Sequence, residues 1–339
     1  MCHEFSYMLS PSRPPTPIAR LLTHMIDDAP QSLDATGRWR VEWPTLAVAV
    51  AVYGAWAALI WGYQHIPGWV FLPLAIMVGC WHGSLQHEVL HSHPTGRRWI
   101  DELIAYPPIA LWLPYPIYRD SHLLHHRVDL LTCPLTDPES CYLPADDWER
   151  LGTTPWGRAW QRVLIANNTM LGRFAIGPAI GFTRFYISEF KRLARGDAYP
   201  FVTWGVHIVL CLPVLWWAVE ICAIPIWIYV LGFAYGATGL TMMRSYYEHR
   251  PAARQDERTA INEAGWFMRL LYLNNSFHAL HHERPGVPWY ALAPLYRRER
   301  ERLLAGNGGF VHPGYTSLAR RFAFRPKDLP CHPTVRRAS

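Results

Sequence analysis

Four long stretches of this sequence contain no Asp, Glu, Lys or Arg, and they constrain its fold more than any other feature. They cover residues 45–63, 68–86, 201–219 and 225–243. Each has about 19 residues, which is enough for an α-helix to cross the hydrocarbon layer of a membrane. The sequence therefore predicts an all-α integral membrane protein with four transmembrane helices, rather than a soluble protein with unusually apolar core helices.

Very short turns join the first stretch to the second and the third to the fourth. Neither turn, at residues 64–67 and 220–224, contains a Lys or Arg, so all 32 basic residues are expected on the other side of the membrane. Lys and Arg accumulate in cytoplasmic loops. We therefore predict a multi-pass protein of two hairpins, with both termini and a helical cap on the cytoplasmic side.

The charge pattern also divides the chain. We expect a cytoplasmic N-terminal tail over residues 1–40, a membrane domain over 41–297 and a cytoplasmic C-terminal tail over 298–339. The apolar segment 103–117 is too short to cross a membrane and contains four prolines. Irregular backbone at membrane depth needs protein or a water-filled cavity around it, so this segment should lie at the interface or line a cavity.

Cysteine usage excludes several classes of protein. The seven cysteines are odd in number and form no CxxC pair. This argues against a disulfide scaffold, a zinc ribbon or a built-in iron–sulfur cluster. The net charge of +6 has a topological explanation and does not indicate nucleic acid.

Histidines are concentrated at the end of a predicted span and in the segments that follow the spans. The first motif, "HEVLH" at 87–91, has the spacing HxxxH, and two further motifs, "HLLHH" at 122–126 and "HALHH" at 278–282, share the spacing HxxHH. Residues three and four apart share one face of a helix, so each motif can present its imidazoles together. His249 follows the fourth span on the same side, whereas His82 and His93 lie near the first motif but break its spacing.

The eight histidines of the three motifs and His249 make nine. Together they predict a metal centre with more than one ion. A zinc site takes about four ligands, so nine imidazoles are enough for two ions, and imidazole suits iron, zinc or copper. The first motif alone also fits a membrane zinc protease with Glu88 as general base, but that alternative leaves both HxxHH motifs unused. A metal transporter should place its ligands within the spans, which this sequence does not.

The three histidine motifs and the two-hairpin plan resemble the membrane fatty acid desaturase/hydroxylase superfamily. The similarity covers roughly residues 45–297 and includes "TDPES" at 136–140, "RSYYEHR" at 244–250 and the continuation "HHERPGVPWYALAPLYR" from residue 281. The resemblance implies a histidine-ligated di-iron centre that uses O2 to desaturate or hydroxylate an unactivated C–H bond. It also implies the ligands His87, His91, His122, His125, His126, His278, His281 and His282, with His249 as the additional histidine that some members use.

Neighbouring polar residues are candidates for orienting these ligands. A carboxylate can accept the second ring N–H of a metal-bound histidine. Asp120, Asp137, Glu139, Glu248 and Glu283 lie beside ligands or in a family motif, and Asp137 in "TDPES" is the favoured candidate. Asn274 and Asn275 are further candidates.

The resemblance is compatible with two types of reaction. The first is desaturation of a fatty acyl chain or acyl lipid, and the alternative is a hydroxylase or ketolase acting on a lipid or a carotenoid. Because the chain has no cysteine cluster, nucleotide-binding glycine loop or convincing haem motif, we expect a separate electron donor, a ferredoxin-, rubredoxin- or cytochrome-like protein served by a reductase.

Overall fold

The structure, a computed structural model, describes residues 41–337, so the predicted N-terminal tail over 1–40 lies outside the described residues. The described chain is mostly helical. Its α-helices are α1 (Trp43–Trp61), α2 (Gly68–Val89), α3 (Arg98–Ala105), α4 (Tyr115–His125), α5 (Ala145–Leu151), α6 (Pro155–Asn167), α7 (Met170–Ala175), α8 (Gly177–Ala194), α9 (Ala198–Trp216), α10 (Tyr235–Ser245), α11 (Trp266–Leu271), α12 (His278–Glu283), α13 (Trp289–Gly306) and α14 (Tyr315–Phe322).

Shorter elements complete the chain. Short 3-10 helices cover Tyr63–His65 and Asp256–Arg258, and π-helical segments cover Trp217–Ile221 and Ile228–Ala234. Two short strands, β1 (Ile261–Asn262) and β2 (Val311–His312), pair in parallel.

Among the described residues, three helices are long and apolar enough to cross a membrane: Trp43–Trp61, Gly68–Val89 and Ala198–Ile221. They match the first three predicted spans. Their outer faces carry exposed apolar side chains such as Val50 and Val209, and an apolar outer surface is what contact with lipid requires.

The fourth predicted span, residues 225–243, has a different local structure. It begins with the π-helical segment Ile228–Ala234 and continues directly into α10. Single-turn π-helical segments occur within α-helices, frequently near functional sites. A fourth membrane crossing therefore remains a prediction.

The two short turns lie together at one end of the helices. The Gln64 side-chain amide donates to the Ala223 carbonyl at 3.2 Å, which joins the turn after α1 to the turn after α9. From this end α2 runs to His87, and α10 ends at Ser245, four residues before His249. The hairpins therefore deliver their histidines to the opposite end.

Small residues allow α2 and α10 to pack closely. A Cβ atom added at Gly79 would lie 2.5 Å from the Cβ of Ala237, and one added at Gly236 would lie 2.6 Å from Cδ1 of Ile76. Close helix approach through small residues is characteristic of membrane helices. This contact fixes the helices that carry His87 and, further on, His249.

The chain after α10 packs over the histidine-bearing end. Phe277, Leu280, Leu292 and Tyr296 form a buried apolar cluster with Ile261 that holds α12 against α13. Helix α13 continues past residue 298, the expected start of the C-terminal tail, and that domain boundary remains a prediction.

We predict that Gly79→Ala destabilises the protein because the new methyl group would overlap Ala237. Overpacking costs about 1–3 kcal/mol, which would lower the thermal unfolding temperature in detergent. Gly54→Ala in α1 is the matched control, because no atom lies within 4 Å of the added Cβ. Equal unfolding temperatures for the two variants would contradict the close packing of α2 and α10.

Candidate metal centre

The structure brings all nine predicted histidines into one cluster. They come from the last turn of α2 and the turn after it, the end of α4, the segment after α10, and α12. Cluster members are His87, His91, His122, His125, His126, His249, His278, His281 and His282. That these side chains bind metal is still a prediction.

Eight of the nine form two groups of four. In each group one nitrogen from every ring lies within 4.8 Å of the others. The first group is His87, His91, His122 and His281, and the second group is His125, His249, His278 and His282. Each group draws on three different segments of the chain, so tertiary structure is needed to assemble either one.

His126 lies between the two groups. Its Nε2 is 3.0 Å from Nε2 of His122 in the first group, and its ring stacks on that of His282 in the second, with centroids 4.1 Å apart. The two groups are therefore neighbours within a single site.

Hydrogen bonds to Nδ1 orient several rings. His125 Nδ1 donates to Oδ1 of Asp137 at 2.8 Å, and His122 Nδ1 donates to Oε1 of Glu139 at 2.8 Å. Because carboxylates accept these bonds, Nδ1 carries a proton, and Nε2 is the atom that can bind a metal when the ring is neutral. Carboxylate partners of this kind fix the tautomer and orientation of metal-binding histidines.

The free Nε2 atoms face one another. Nε2 of His278 lies 3.1 Å from Nε2 of both His249 and His282, and Nε2 of His125 lies 3.1 Å from that of His249. With metal–nitrogen bonds of about 2.1 Å, two ligands at right angles around one ion would be about 3.0 Å apart. The second group thus has the spacing of ligands that share an ion.

The first group contains nitrogen atoms that lack a partner, which a cation could supply. Nε2 of His87, His91 and His281 is buried without a hydrogen-bond partner among the described residues. A buried nitrogen left unpaired costs about 1–3 kcal/mol. Three unpaired nitrogen atoms in one place form a set of metal-ligand atoms that fits a bound metal ion.

Burial keeps most of these rings neutral. It lowers the pKa of His91, His249 and His281 well below the ordinary value, and neighbouring imidazoles add to the effect. His125 is the exception, because Glu139 and Asp137 outweigh its burial and raise its pKa to about 9. Metal ions bind neutral imidazole, so this electrostatic environment favours a metal over protons at most of the cluster.

The predicted orienting residues differ in what they contact. Asp137 accepts from His125 and from the backbone N–H of Thr132, and Asn275 lies 3.1 Å from Nδ1 of His278 through its side-chain oxygen. Asn274 instead donates to the Trp289 carbonyl. Asn274 therefore supports the start of α13 rather than a ring of the cluster.

Other carboxylates considered from the sequence also have defined partners. Glu248 accepts a hydrogen bond from the Asn275 amide at 3.2 Å and lies 3.6 Å from Nδ1 of His278. Asp120 accepts from Tyr199, and Glu283 accepts from Arg302. Only Asp137, Glu139 and Glu248 are thus placed beside the imidazoles.

Lys327 supports the site although no sequence pattern indicates it. Its ammonium group donates to the His249 carbonyl at 2.6 Å and to the Tyr246 carbonyl at 2.9 Å. These bonds hold the segment that carries His249. Lys327 belongs to no recognisable sequence motif, so its contact is evident only in the folded chain.

Glu88 is engaged in a structural contact. Its Oε1 accepts the backbone N–H of Trp289 at 2.8 Å, which ties the first histidine motif to the start of α13. In a zinc protease the equivalent carboxylate must be available to activate water. With eight further histidines gathered beside His87, the geometry favours a metal centre of several ions instead.

Fold and site together define a membrane protein with a cluster of histidines that could hold metal ions. The profile described as "Fatty acid desaturase" matches residues 64–314. The chain belongs to the fatty acid desaturase family, and it is an oxidoreductase of the desaturase and hydroxylase type that acts on lipids. Comparison with individually curated proteins gives no match.

We predict that Asp137→Asn weakens metal binding, because the substitution keeps the size of the side chain but removes the charge that faces His125. Loss of such a partner costs about 10- to 100-fold in metal affinity. Chelator competition followed by metal analysis of the purified protein measures the change. Asp129→Asn is the matched control, since Asp129 is exposed and lies four residues after His125. An unchanged affinity in Asp137→Asn would show that this carboxylate does not support a ligand.

Proposed function

We propose that this protein is an O2-dependent di-iron membrane oxidoreductase of lipid metabolism, and that it most simply acts as a fatty acyl or acyl-lipid desaturase. The observation that carries the proposal is the division of eight buried or half-buried imidazoles into two adjacent groups of four, with a ninth between them. This number of nitrogens exceeds what a single tetrahedral ion uses. Two ions, one for each group, account for eight of the nine, and His126 lies between the two groups.

Iron is the ion that family membership favours. Imidazole nitrogen is compatible with iron, zinc and copper, so the choice rests on the chemistry of the family. Two iron ions bound by these histidines would activate O2 for removal of hydrogen from an unactivated C–H bond, which amino-acid side chains alone cannot perform.

The residues of the chain supply position and shielding. Asp137, Glu139 and Asn275 hold ring nitrogens in fixed directions, so the ligands need little rearrangement when the ions bind. Buried positions of His87 and His281 keep bulk water from the site. A dry site protects a reactive centre from side reactions.

The position of the centre agrees with a substrate that comes from the membrane. Both short turns lie at one end of the helices and the histidines follow the other ends. With basic residues absent from both turns, we place the centre at the cytoplasmic side. A soluble electron donor can reach it there, while the apolar substrate enters from the bilayer.

Hydroxylation of a lipid or a carotenoid is the alternative within the same family. Both reactions begin with removal of hydrogen from carbon, and the product then either gains oxygen or loses a second hydrogen. Membership of the family and the clustered histidines are compatible with both reactions.

Lipid mass spectrometry of cells that express the protein tests the proposal. We expect a product lighter by two hydrogens, and its absence when His281→Ala is expressed in place of the unaltered protein. His65→Ala is the matched control, because His65 is exposed in the turn between α1 and α2, far from the cluster along the chain.

Other results of the lipid analysis would lead to different conclusions about the reaction. A gain of one oxygen would assign the protein to the hydroxylase alternative. An unchanged lipid profile with full membrane expression and an active electron-transfer system would contradict the proposed function. Retained activity in His281→Ala would contradict the role of the third motif and would favour a mechanism confined to the first.

A further inference from the structure

A second group of possible metal ligands contains none of the nine clustered histidines. It consists of Glu42, Glu88 and His93, and one ligand atom from each side chain lies within 4.8 Å of the others. Glu42 immediately precedes α1, Glu88 lies in the last turn of α2, and His93 follows the first histidine motif. Folding therefore brings together three segments that no sequence motif connects.

The imidazole of His93 lies between the two carboxylates. Its Nδ1 is 2.7 Å from Oε1 of Glu42, and its Nε2 is 4.0 Å from Oε1 of Glu88. His93 and Glu88 are each only 5% exposed, and the Glu42 side chain is 12% exposed. The group is thus enclosed by protein, with Glu42 at its outer edge.

The charges of this group do not balance. Within the described residues, Glu42 and Glu88 both form their ion pairs with His93. Asp101 is a third buried carboxylate that acts electrostatically on the same ring. One imidazole carries at most one positive charge, and buried charges are stable only when they are paired or bind a metal. An additional cation would remove the excess negative charge.

The unpaired nitrogen of His93 points at the place where a cation would fit. Its Nε2 has no hydrogen-bond partner in the part of the chain that the structure describes, and it faces Glu88. When Nδ1 donates to Glu42, Nε2 of the neutral ring is an acceptor, as is the carboxylate of Glu88. Two acceptors cannot bond to each other, but both can bind one metal ion.

The separation of these two acceptors suits an ion held between them. With metal–ligand bonds of about 2.1 Å, two ligands on opposite sides of an ion are about 4.2 Å apart. The distance from Nε2 of His93 to Oε1 of Glu88 is 4.0 Å. An ion between these atoms therefore needs no external cavity and little movement of either side chain.

We propose that Glu42, Glu88 and His93 bind an exchangeable divalent metal ion, distinct from the ions of the histidine cluster. Carboxylates suit hard ions such as Mn²⁺, whereas imidazole suits later first-row ions. The mixed set therefore admits Mn²⁺, which we choose as the probe. Three protein ligands are fewer than the four of a closed structural site, so we expect a chelator to remove this ion while the histidine cluster keeps its own.

The ion would join the first histidine motif to two other parts of the protein. Glu42 belongs to the start of α1, and Glu88 also accepts the backbone N–H of Trp289 at the start of α13. A ligand that binds only the folded chain stabilises it. The expected role of the ion is therefore to stabilise this junction, and it does not rest on the proposed function.

A proton on His93 or on a carboxylate is the other way to reduce the charge imbalance. In that case the group is an ion pair and takes up no metal. Only a metal site binds a countable ion, and only a bound Mn²⁺ ion shows magnetic coupling to a histidine nitrogen. Measurement of Mn²⁺ binding therefore distinguishes the two.

The experiment uses the iron-loaded full chain in detergent after a chelator wash. Free Mn²⁺ is measured by electron paramagnetic resonance during a titration, and iron content is measured before and after it. Glu42→Gln removes a charge at nearly constant size, and His93→Gln removes the imidazole. Glu220→Gln is the matched control, because Glu220 is exposed in the turn after α9, at the opposite end of the helices.

We expect the unaltered chain and Glu220→Gln to bind one Mn²⁺ ion without loss of iron. Loss of a residue that merely orients a ligand costs about 10- to 100-fold in metal affinity, so Glu42→Gln and His93→Gln should each weaken Mn²⁺ binding by at least about tenfold. Mn²⁺ should raise the thermal unfolding temperature of the unaltered chain and of Glu220→Gln more than that of the other two variants.

Three results would overturn the inference. Absence of binding at millimolar Mn²⁺ would assign the group to a protonated ion pair. Equal affinity in Glu42→Gln and the unaltered chain would place the ion elsewhere, and uptake of Mn²⁺ matched by loss of iron would place it in the histidine cluster.

A measurement on the unaltered chain keeps the test decisive if either variant fails to fold. Electron–nuclear double resonance of bound Mn²⁺ should show coupling to a histidine nitrogen while the iron content stays constant. Coupling to water protons alone would overturn the inference, because His93 would then not be a ligand.

Discussion

Repulsion among imidazole lone pairs is the physical constraint on which the rest of this structure depends. Nε2 of His249 and Nε2 of His278 lie 3.1 Å apart, and Nδ1 of each ring faces an oxygen acceptor, the Arg258 carbonyl and the Asn275 side chain. With both rings neutral, as burial favours, each Nδ1 keeps its proton and neither Nε2 can donate to the other. A bound cation removes the conflict. Binding of structural zinc to zinc-finger peptides is worth about 10–16 kcal/mol of folding free energy, so a metal ion bound by these histidines would stabilise the fold that brings them together.

The membrane helices bring together histidine motifs that are distant in the sequence. Close packing at Gly79 and Gly236 fixes α2 beside α10, and the contact between the two turns sets their common direction. Segments outside the helices then complete the site. Lys327 holds the His249 segment by its carbonyls, and Glu88 ties the first motif to α13.

Much of this arrangement could be predicted from the sequence, because spacing and hydropathy are local properties. Three of the four predicted apolar spans, and the convergence of the histidine motifs, are found in the described residues. The division into two groups could not be predicted. His122 and His125 are three residues apart on one helix, yet they join different groups, because a site with two centres straddles the helix face. The sequence also could not predict which asparagine lies beside the cluster. Asn275 contacts His278, whereas Asn274 bonds to the Trp289 carbonyl.

The central claim is that the two groups of histidines hold two ions in one chain. Iron and zinc analysis of the purified, active protein, expressed per chain, tests it most directly. We expect two iron atoms per chain and no stoichiometric zinc. A single zinc ion per active chain would contradict the claim, because half of the clustered imidazoles would then have no ligand role.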